Sequence, residues 1–299
     1  MLARIQQSIT LGLLGFAAGW LAWFVDTPVL AWAGCLTLLL GYAVVLALEF
    51  VALRFVNLGD PVPRPGWGQL FKAWVGEVVT APRVFAWRQP FRADAVPDLL
   101  DPAACAPGAR GVVLVHGFFC NRGLWTPWLR WLASHGHAFV AVNLEPVFGS
   151  IDDYVPIIEA AVARVTRATG QPPVLVCHSM GGLAARAWLR DMNGADRVHH
   201  VITIGTPHRG TWLGRFGHGR NGQQMRLVNP WLDALGEHGS AELHVRFTCW
   251  YSNCDNIVFP TSTATLPGAD NRLVPGVAHV QLAFHGEVMR ASLAKISAL

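Results

Sequence analysis

The residues best suited to chemistry lie in Val174–Gly182, where Val-Leu-Val-Cys-His-Ser-Met-Gly-Gly runs from an apolar stretch into two glycines. The Val-rich run reads as a buried strand, and Leu183–Arg190 reads as the amphipathic helix that follows it. Ser179 then sits on a sharp strand-to-helix turn, where its hydroxyl cannot be buried. It stands above a helix N-terminus whose free N–H groups favour negative charge. Small residues are needed where the two backbones nearly touch. Gly181 meets that need on one side of the serine, and Cys177 stands two residues before it. The plainer alternative is an ordinary turn with a capping serine.

A serine hydroxyl is a poor nucleophile until a base takes its proton, and the base needs a carboxylate to orient it. Asp233, Asp255 and Asp270 all follow Ser179. Asp255 comes just after the apolar run Leu243–Trp250 and a short turn, ahead of Ile-Val-Phe-Pro260, as expected of a strand-end loop pinned to the core. Asp270, in Gly-Ala-Asp-Asn-Arg, reads as a turn residue, so Asp255 is the expected acid. Of the late histidines, His279 lies in a Gly-containing loop before an amphipathic helix, and His285 falls inside that helix. His279 is the expected base. The oxyanion that forms in acyl transfer is best met by backbone N–H groups. One expected donor is Met180, after the serine. The other is Phe118, since the strand Val112–Val115 ends in His116-Gly117-Phe118-Phe119 and Gly117 lets the backbone bend close. His116 is read as bracing this loop.

Composition bounds the rest. The chain has 299 residues, 52% hydrophobic and 14% charged, with a mean hydropathy of +0.34. That apolar excess points to membrane segments. The net charge of +4 carries no basic run with interleaved aromatics, so nucleic acid is not an expected partner. Six cysteines are scattered without the spacing of a zinc site. Neither a metal nor another cofactor is expected. Cys249 and Cys254 are close enough to bridge, but free thiols are the preferred reading.

Ile9–Val25 and Val29–Leu48 carry no charge and are separated by Asp26-Thr27-Pro28. A span needs about 20 apolar residues, so the pair reads as a transmembrane hairpin occupying residues 1–55. A signal peptide fits less well, because the apolar stretch continues past Ala31-Trp-Ala33. Arg4 before the first span and Arg54, Arg64 and Lys72 after the second place both ends, and the C-terminal domain, on the cytoplasmic side of an inner or plasma membrane. Residues 56–110 read as a proline-rich linker holding an amphipathic piece, Gln69–Val79. Trp67, Trp74 and Trp87 suit a membrane interface, although packing on the catalytic domain is an equal alternative. From Gly111, strands and helices alternate: Val112–Val115, Leu124–Ser134, Ala138–Val142, Ile151–Thr169, Val174–Val176, Val198–Ile204 and Leu243–Trp250. This pattern predicts an α/β domain, 111–299, with a mostly parallel sheet covered by helices on both faces. Ligands of such sheets bind beyond the strands' carboxyl ends, where every motif above lies.

Taken together, these pieces resemble the α/β-hydrolase superfamily and, within it, bacterial lipases and esterases. The resemblance rests on His116-Gly117-Phe118, His178-Ser179-Met180-Gly181-Gly182, Gly205-Thr-Pro-His-Arg-Gly-Thr211 and the Asp255/His279 pair. It covers about Gly111–Leu299. It implies an α/β-hydrolase fold with a short lid at about 211–240, including Gln223–Leu235. It also implies a Ser179/Asp255/His279 triad, a Phe118/Met180 oxyanion hole, and Thr206 and His208 as buttresses. The implied activity is that of a membrane-anchored serine hydrolase of carboxylic esters, with lipid or another acyl ester as substrate. Phe119, Trp212, Leu213, Phe216 and Trp231 are the candidate substrate contacts, or else core beneath the lid. The same triad would serve an acyltransferase, thioesterase or amidase, and a non-catalytic membrane scaffold is the alternative outside enzymes.

Overall fold

The computed structural model describes residues 1–237, 244 and 246–298. Two long helices come first, α1 (Leu2–Trp23) and α2 (Pro28–Val56). Pro28 opens α2 where no N–H is needed, and Trp20 Nε1 ties the pair by donating to the Leu30 carbonyl at 3.1 Å. Both helices are long and apolar enough to cross a membrane, and only 11% of the most apolar stretch of each is buried. The helices outrun the charge-free segments because Arg4, Glu49 and Arg54 continue them instead of ending them.

The stretch expected to be a linker is largely helix. Helix α3 (Trp67–Pro82) runs into a π-helical turn, Arg83–Arg88, after Pro82, which has no N–H to offer the ladder. Trp74 Nε1 donates to Ala43 O and Tyr42 Oη to Val78 O, so α3 is fastened along α2. Its faces are unusual. Leu70, Ala73 and Glu77 are buried, whereas Trp67, Phe71, Val75 and Val79, at a spacing of four, are exposed.

Six strands form one all-parallel sheet in the order β2-β1-β3-β4-β5-β6. They are β1 (Val112–Val115), β2 (Phe139–Ala141), β3 (Val174–His178), β4 (His200–Ile204), β5 (Phe247–Tyr251) and β6 (Asp270–Leu273). Side chains alternate across it. Val113, Val115, Leu175, Cys177, Val201 and Phe247 face helices Val155–Thr169 and Met180–Asp191. Val112, Leu114, Val174, Val176, Ile202 and Trp250 face helices Thr126–Ser134 and Gly286–Ala298. A third apolar cluster joins Phe50, Leu53, Leu70 and Ala73 of the N-terminal helices to Cys254, Phe259 and Ala278.

Three expectations are corrected. Asp270 opens the edge strand β6 instead of sitting in a turn, and Asp-Asn-Arg-Leu shows no apolar alternation because an edge is kept polar. The strand expected from Leu243 begins at Phe247, and Leu243 itself lies outside the described residues. His285 lies between two helices, His279–Leu282 and Gly286–Ala298, not inside one. The break falls at Ala283, whose carbonyl accepts from Trp128 Nε1 at 2.8 Å.

Trp128 is fully buried. Trp128→Ala removes its indole and orphans the Ala283 carbonyl, for an expected loss of about 3–5 kcal/mol. Denaturant unfolding in detergent measures it, and a loss below about 1 kcal/mol would contradict the packing described.

Candidate active site

Ser179 lies at the carboxyl end of β3 with φ 54° and ψ −130°, a conformation costly for a non-glycine residue and sustained only when its surroundings over-determine it. They do. The Ser179 N–H donates to Ile204 O, and Thr206 Oγ1 donates to Ser179 O, both at 2.9 Å. A Cβ at Gly181 would run into the Val115 carbonyl and one at Gly182 into Thr206, so neither position admits a side chain. Cys177, where a glycine is usual in this turn, is fully buried, and burial holds its thiol neutral, well above the usual range. It acts as a small apolar residue.

Asp255 follows β5 on a loop closed by its own carboxylate. Oδ1 accepts from Ile257 N at 3.0 Å and Val258 N at 2.8 Å, while Oδ2 accepts from His279 Nδ1 at 2.8 Å. The side chains of the pair are 2% and 5% exposed. Of the three acids weighed from sequence, Asp255 alone bonds His279; Asp270 pairs with Arg272, and Asp233 is exposed. Burial pulls the His279 value down, but the adjacent Asp255 carboxylate, its hydrogen bond and two further carboxylates outweigh that and raise it. With Nδ1 engaged, Nε2 is the nitrogen free to exchange a proton. Gly205, at φ +58°, packs against the pair: a Cβ there would stand 3.0 Å from Asp255 Oδ2 and 3.1 Å from His279 Nδ1.

His178 fastens the two halves. Its Nε2 lies 3.3 Å from the His279 carbonyl, to which it must donate, and burial, then the nearby His279 charge, keep it neutral. His208 sits 3.0 Å from Thr203 Oγ1, and its carbonyl accepts from Arg186, so it buttresses the loop after β4.

At the end of β1, Gly117 abuts the serine. A Cβ there would stand 2.7 Å from Ser179 Cβ and 3.3 Å from Oγ. Phe118 is the next residue along, and Met180 opens the helix after Ser179. His116 accepts from Leu144 N at 3.0 Å through Nε2 and is pushed down to about 4 by burial. It braces the loop. Phe118, Phe119 and Phe148 form a ring cluster with centroids 5.8–6.4 Å apart. Phe118 and Phe148 are exposed.

The remaining candidates divide. Trp212 stacks on Phe259 at 5.8 Å and meets Phe216 edge-on at 5.4 Å; Leu213 packs with it on the third cluster, and Phe216 is exposed. Trp231 is committed elsewhere, its indole donating to both oxygens of Asp152 at 3.0 and 2.9 Å. The expected lid is a chain of short helices, Trp212–Phe216, Arg220–Gln224 and Pro230–Glu237. Its last residues, 238–240, lie outside the described ones. A cavity of about 580 Å³ beneath it is lined by Arg186, His208, Leu232 and His244 and does not reach Ser179. Cys249 and Cys254 are free, buried thiols.

The N-terminal helices supply groups that sequence reasoning passed over. Gln6 of α1 donates to the Phe119 carbonyl at 3.3 Å and to Gln89 Oε1 at 2.9 Å. Glu49 of α2 accepts from Asn256 Nδ2 at 2.6 Å, and Asn256 Oδ1 accepts from His279 N at 3.2 Å. Glu77 of α3, 2% exposed, accepts from Val280 N at 2.9 Å and Gln281 N at 3.1 Å. Burial pushes the Glu77 value up to about 7 against those bonds and the His279 charge. The available signal was a lone acid in each of two apolar stretches, which marks a partnered group.

The sequence pattern described as the alpha/beta hydrolase family matches residues 112–289. Among solved structures, the mature form of Bacillus licheniformis lipase BlEst2 is similar with a TM-score of 0.57 at 16% identity, covering 64% of this chain and 94% of its own. Aspergillus fumigatus lipase B has a TM-score of 0.56 at 18% identity, covering 66% of this chain and 55% of its own. At these identities the likeness is one of fold. The matched stretch begins at β1 and excludes α1, α2 and α3.

Burial holds His116 and His200 down to about 4 and lowers His178 and His208 well below the usual value. Each therefore contributes stability that is present above its unfolded value of about 6.5 and lost as pH falls through the folded one. His279 and Glu77, both raised, have the opposite sign: their contributions are complete below their unfolded values and lost as pH rises through the folded ones. The histidines dominate below pH 6.5. The Tm in detergent is expected to fall as pH is lowered from about 6.5 toward 4.5, and a flat or rising Tm over that range would contradict it.

Proposed function

This chain belongs to the alpha/beta hydrolase family, and on that premise we propose that it is a membrane-anchored serine hydrolase cleaving carboxylic esters of lipids. The observation that carries the reading is the strained Ser179 at the end of β3, whose neighbour His178 has its ring centroid 4.7 Å from that of His279 in the buried Asp255–His279 pair at 2.8 Å. Ser179 Oγ attacks the ester carbonyl as its proton passes to His279 Nε2. Asp255 orients the ring and stabilises the imidazolium. The Phe118 and Met180 amides receive the oxyanion, in a position where preorganised donors are worth several kcal/mol. Collapse expels the alcohol with the proton from His279 and leaves an acyl-serine, and water, deprotonated by the same imidazole, releases the acid.

The lipid assignment rests on surface chemistry. The exposed stripe of α3, Trp67, Phe71, Val75 and Val79, continues the apolar surface of α1 and α2, which fits a hairpin that spans and a third helix that lies in the interface. Phe118, Phe119 and Phe148, together with Trp212, Leu213 and Phe216, offer an apolar approach for acyl chains. Arg4, Arg54, Arg64 and Lys72 against Asp26 favour a cytoplasmic side for the hydrolase domain.

Fluorophosphonate labelling of the full chain in detergent tests the reading. Ser179→Ala and His279→Ala are expected to abolish labelling and to lower p-nitrophenyl ester hydrolysis by at least about 10³-fold with folding retained. A well-folded wild type that takes no label would sink it.

A further inference from the structure

We propose that Glu77 is a positioning residue for His279: its carboxylate, delivered by a helix outside the hydrolase domain, grips the backbone that carries the imidazole. This rests on His279 being the general base of the reading above. The helix His279–Leu282 is a single turn, too short to hold its own geometry, and its first amides have no partner within it. Glu77 takes two of them, Val280 N and Gln281 N, one on each oxygen. Gly76 lies against the end of the Gln281 side chain, so α3 passes close to this turn. Leu70 and Ala73 of the same helix belong to a buried apolar cluster with Phe50, Phe259 and Ala278, and the charged groups acting on Glu77 are His279 and Asp255.

A carboxylate is costly in such a place unless its bonds and charge are answered. The amides answer its bonds, and His279 answers its charge. Four charged or titratable groups act electrostatically on His279: Asp255 on the loop after β5, Glu49 from α2, Glu77 from α3 and His178 from the end of β3. Glu77 thus does two things. It fixes where the imidazole stands, and it adds negative potential when the ring becomes an imidazolium during attack. Neither depends on Glu77 touching substrate.

The two effects come apart in two variants of the full chain. Glu77→Gln keeps the shape, removes the charge and leaves one of the two acceptors. Glu77→Asp keeps the charge and withdraws it by one methylene. Both are expected to lower kcat by about 10- to 100-fold with KM unchanged, as a displaced base does. Glu77→Gln is further expected to move the acid limb of the kcat/KM profile to lower pH, and to lower the His279 titration midpoint followed by NMR of its ring carbon. Glu77→Asp is expected to leave that midpoint near the wild-type value. The proposal is overturned if Glu77→Gln leaves both kcat and the midpoint unchanged. It is equally overturned if the activity loss only tracks a loss of folded protein, measured by denaturant unfolding in detergent. An unlabelled wild type would fail the hydrolase reading separately, and the NMR comparison would still decide whether Glu77 acts on His279.

Discussion

The structure turns on one buried contact, the 2.8 Å hydrogen bond between Asp255 Oδ2 and His279 Nδ1. A carboxylate and an imidazole removed from water must have every lone pair and proton answered, since an unpartnered buried charge is worth several kcal/mol of instability. The neighbourhood is organised to that end. Ile257 and Val258 N–H groups take the other oxygen of Asp255, His178 takes the carbonyl of His279, and Asn256 and Glu77 take the amides on either side of the ring's backbone. The pair is held from below by the sheet and from outside by helices that precede the sheet in the chain.

That arrangement changes how the N-terminal third is understood. As a sequence it divides into hairpin, linker and domain, three beads on a string. In the folded chain the junction is packed and bonded. Asn57 and Asp60 hold Thr261 and Ser262, and Pro63 O accepts from Asn253, so the acid-bearing loop is gripped from the end of α2 onward. The exposed faces of the same helices carry tryptophan, phenylalanine and valine. One side of α2 and of α3 therefore presents apolar surface while the other positions groups around Asp255 and His279.

Much of the site was legible because its signals are local. A Val-rich run into His-Ser-Met-Gly-Gly marks a strand end, and the apolar run before Asp255 marks another, whatever the rest of the chain does. The single turn at His279 and the break at Ala283 were not legible, since an indole from Trp128 decides where the helix stops. Strand β6 left no period to read because an edge strand is stabilised by pairing and kept polar. For Glu77 and Glu49 a partner was signalled by the apolar stretch around each, but not which partner. Their partners lie 203 and 207 residues away, and nothing in the spacing of one chain announces a bond of that span.

That span has a consequence for the protein while it is being made. A ribosome delivers α1, α2 and α3 before Ser179, and Ser179 before the loop with His279. A chain made only as far as Ala278 holds the two apolar helices and the serine, but neither His279 nor the backbone that Glu77 grips. The grip on the turn that carries His279 can therefore close only after a stretch 203 residues beyond Glu77 has been made.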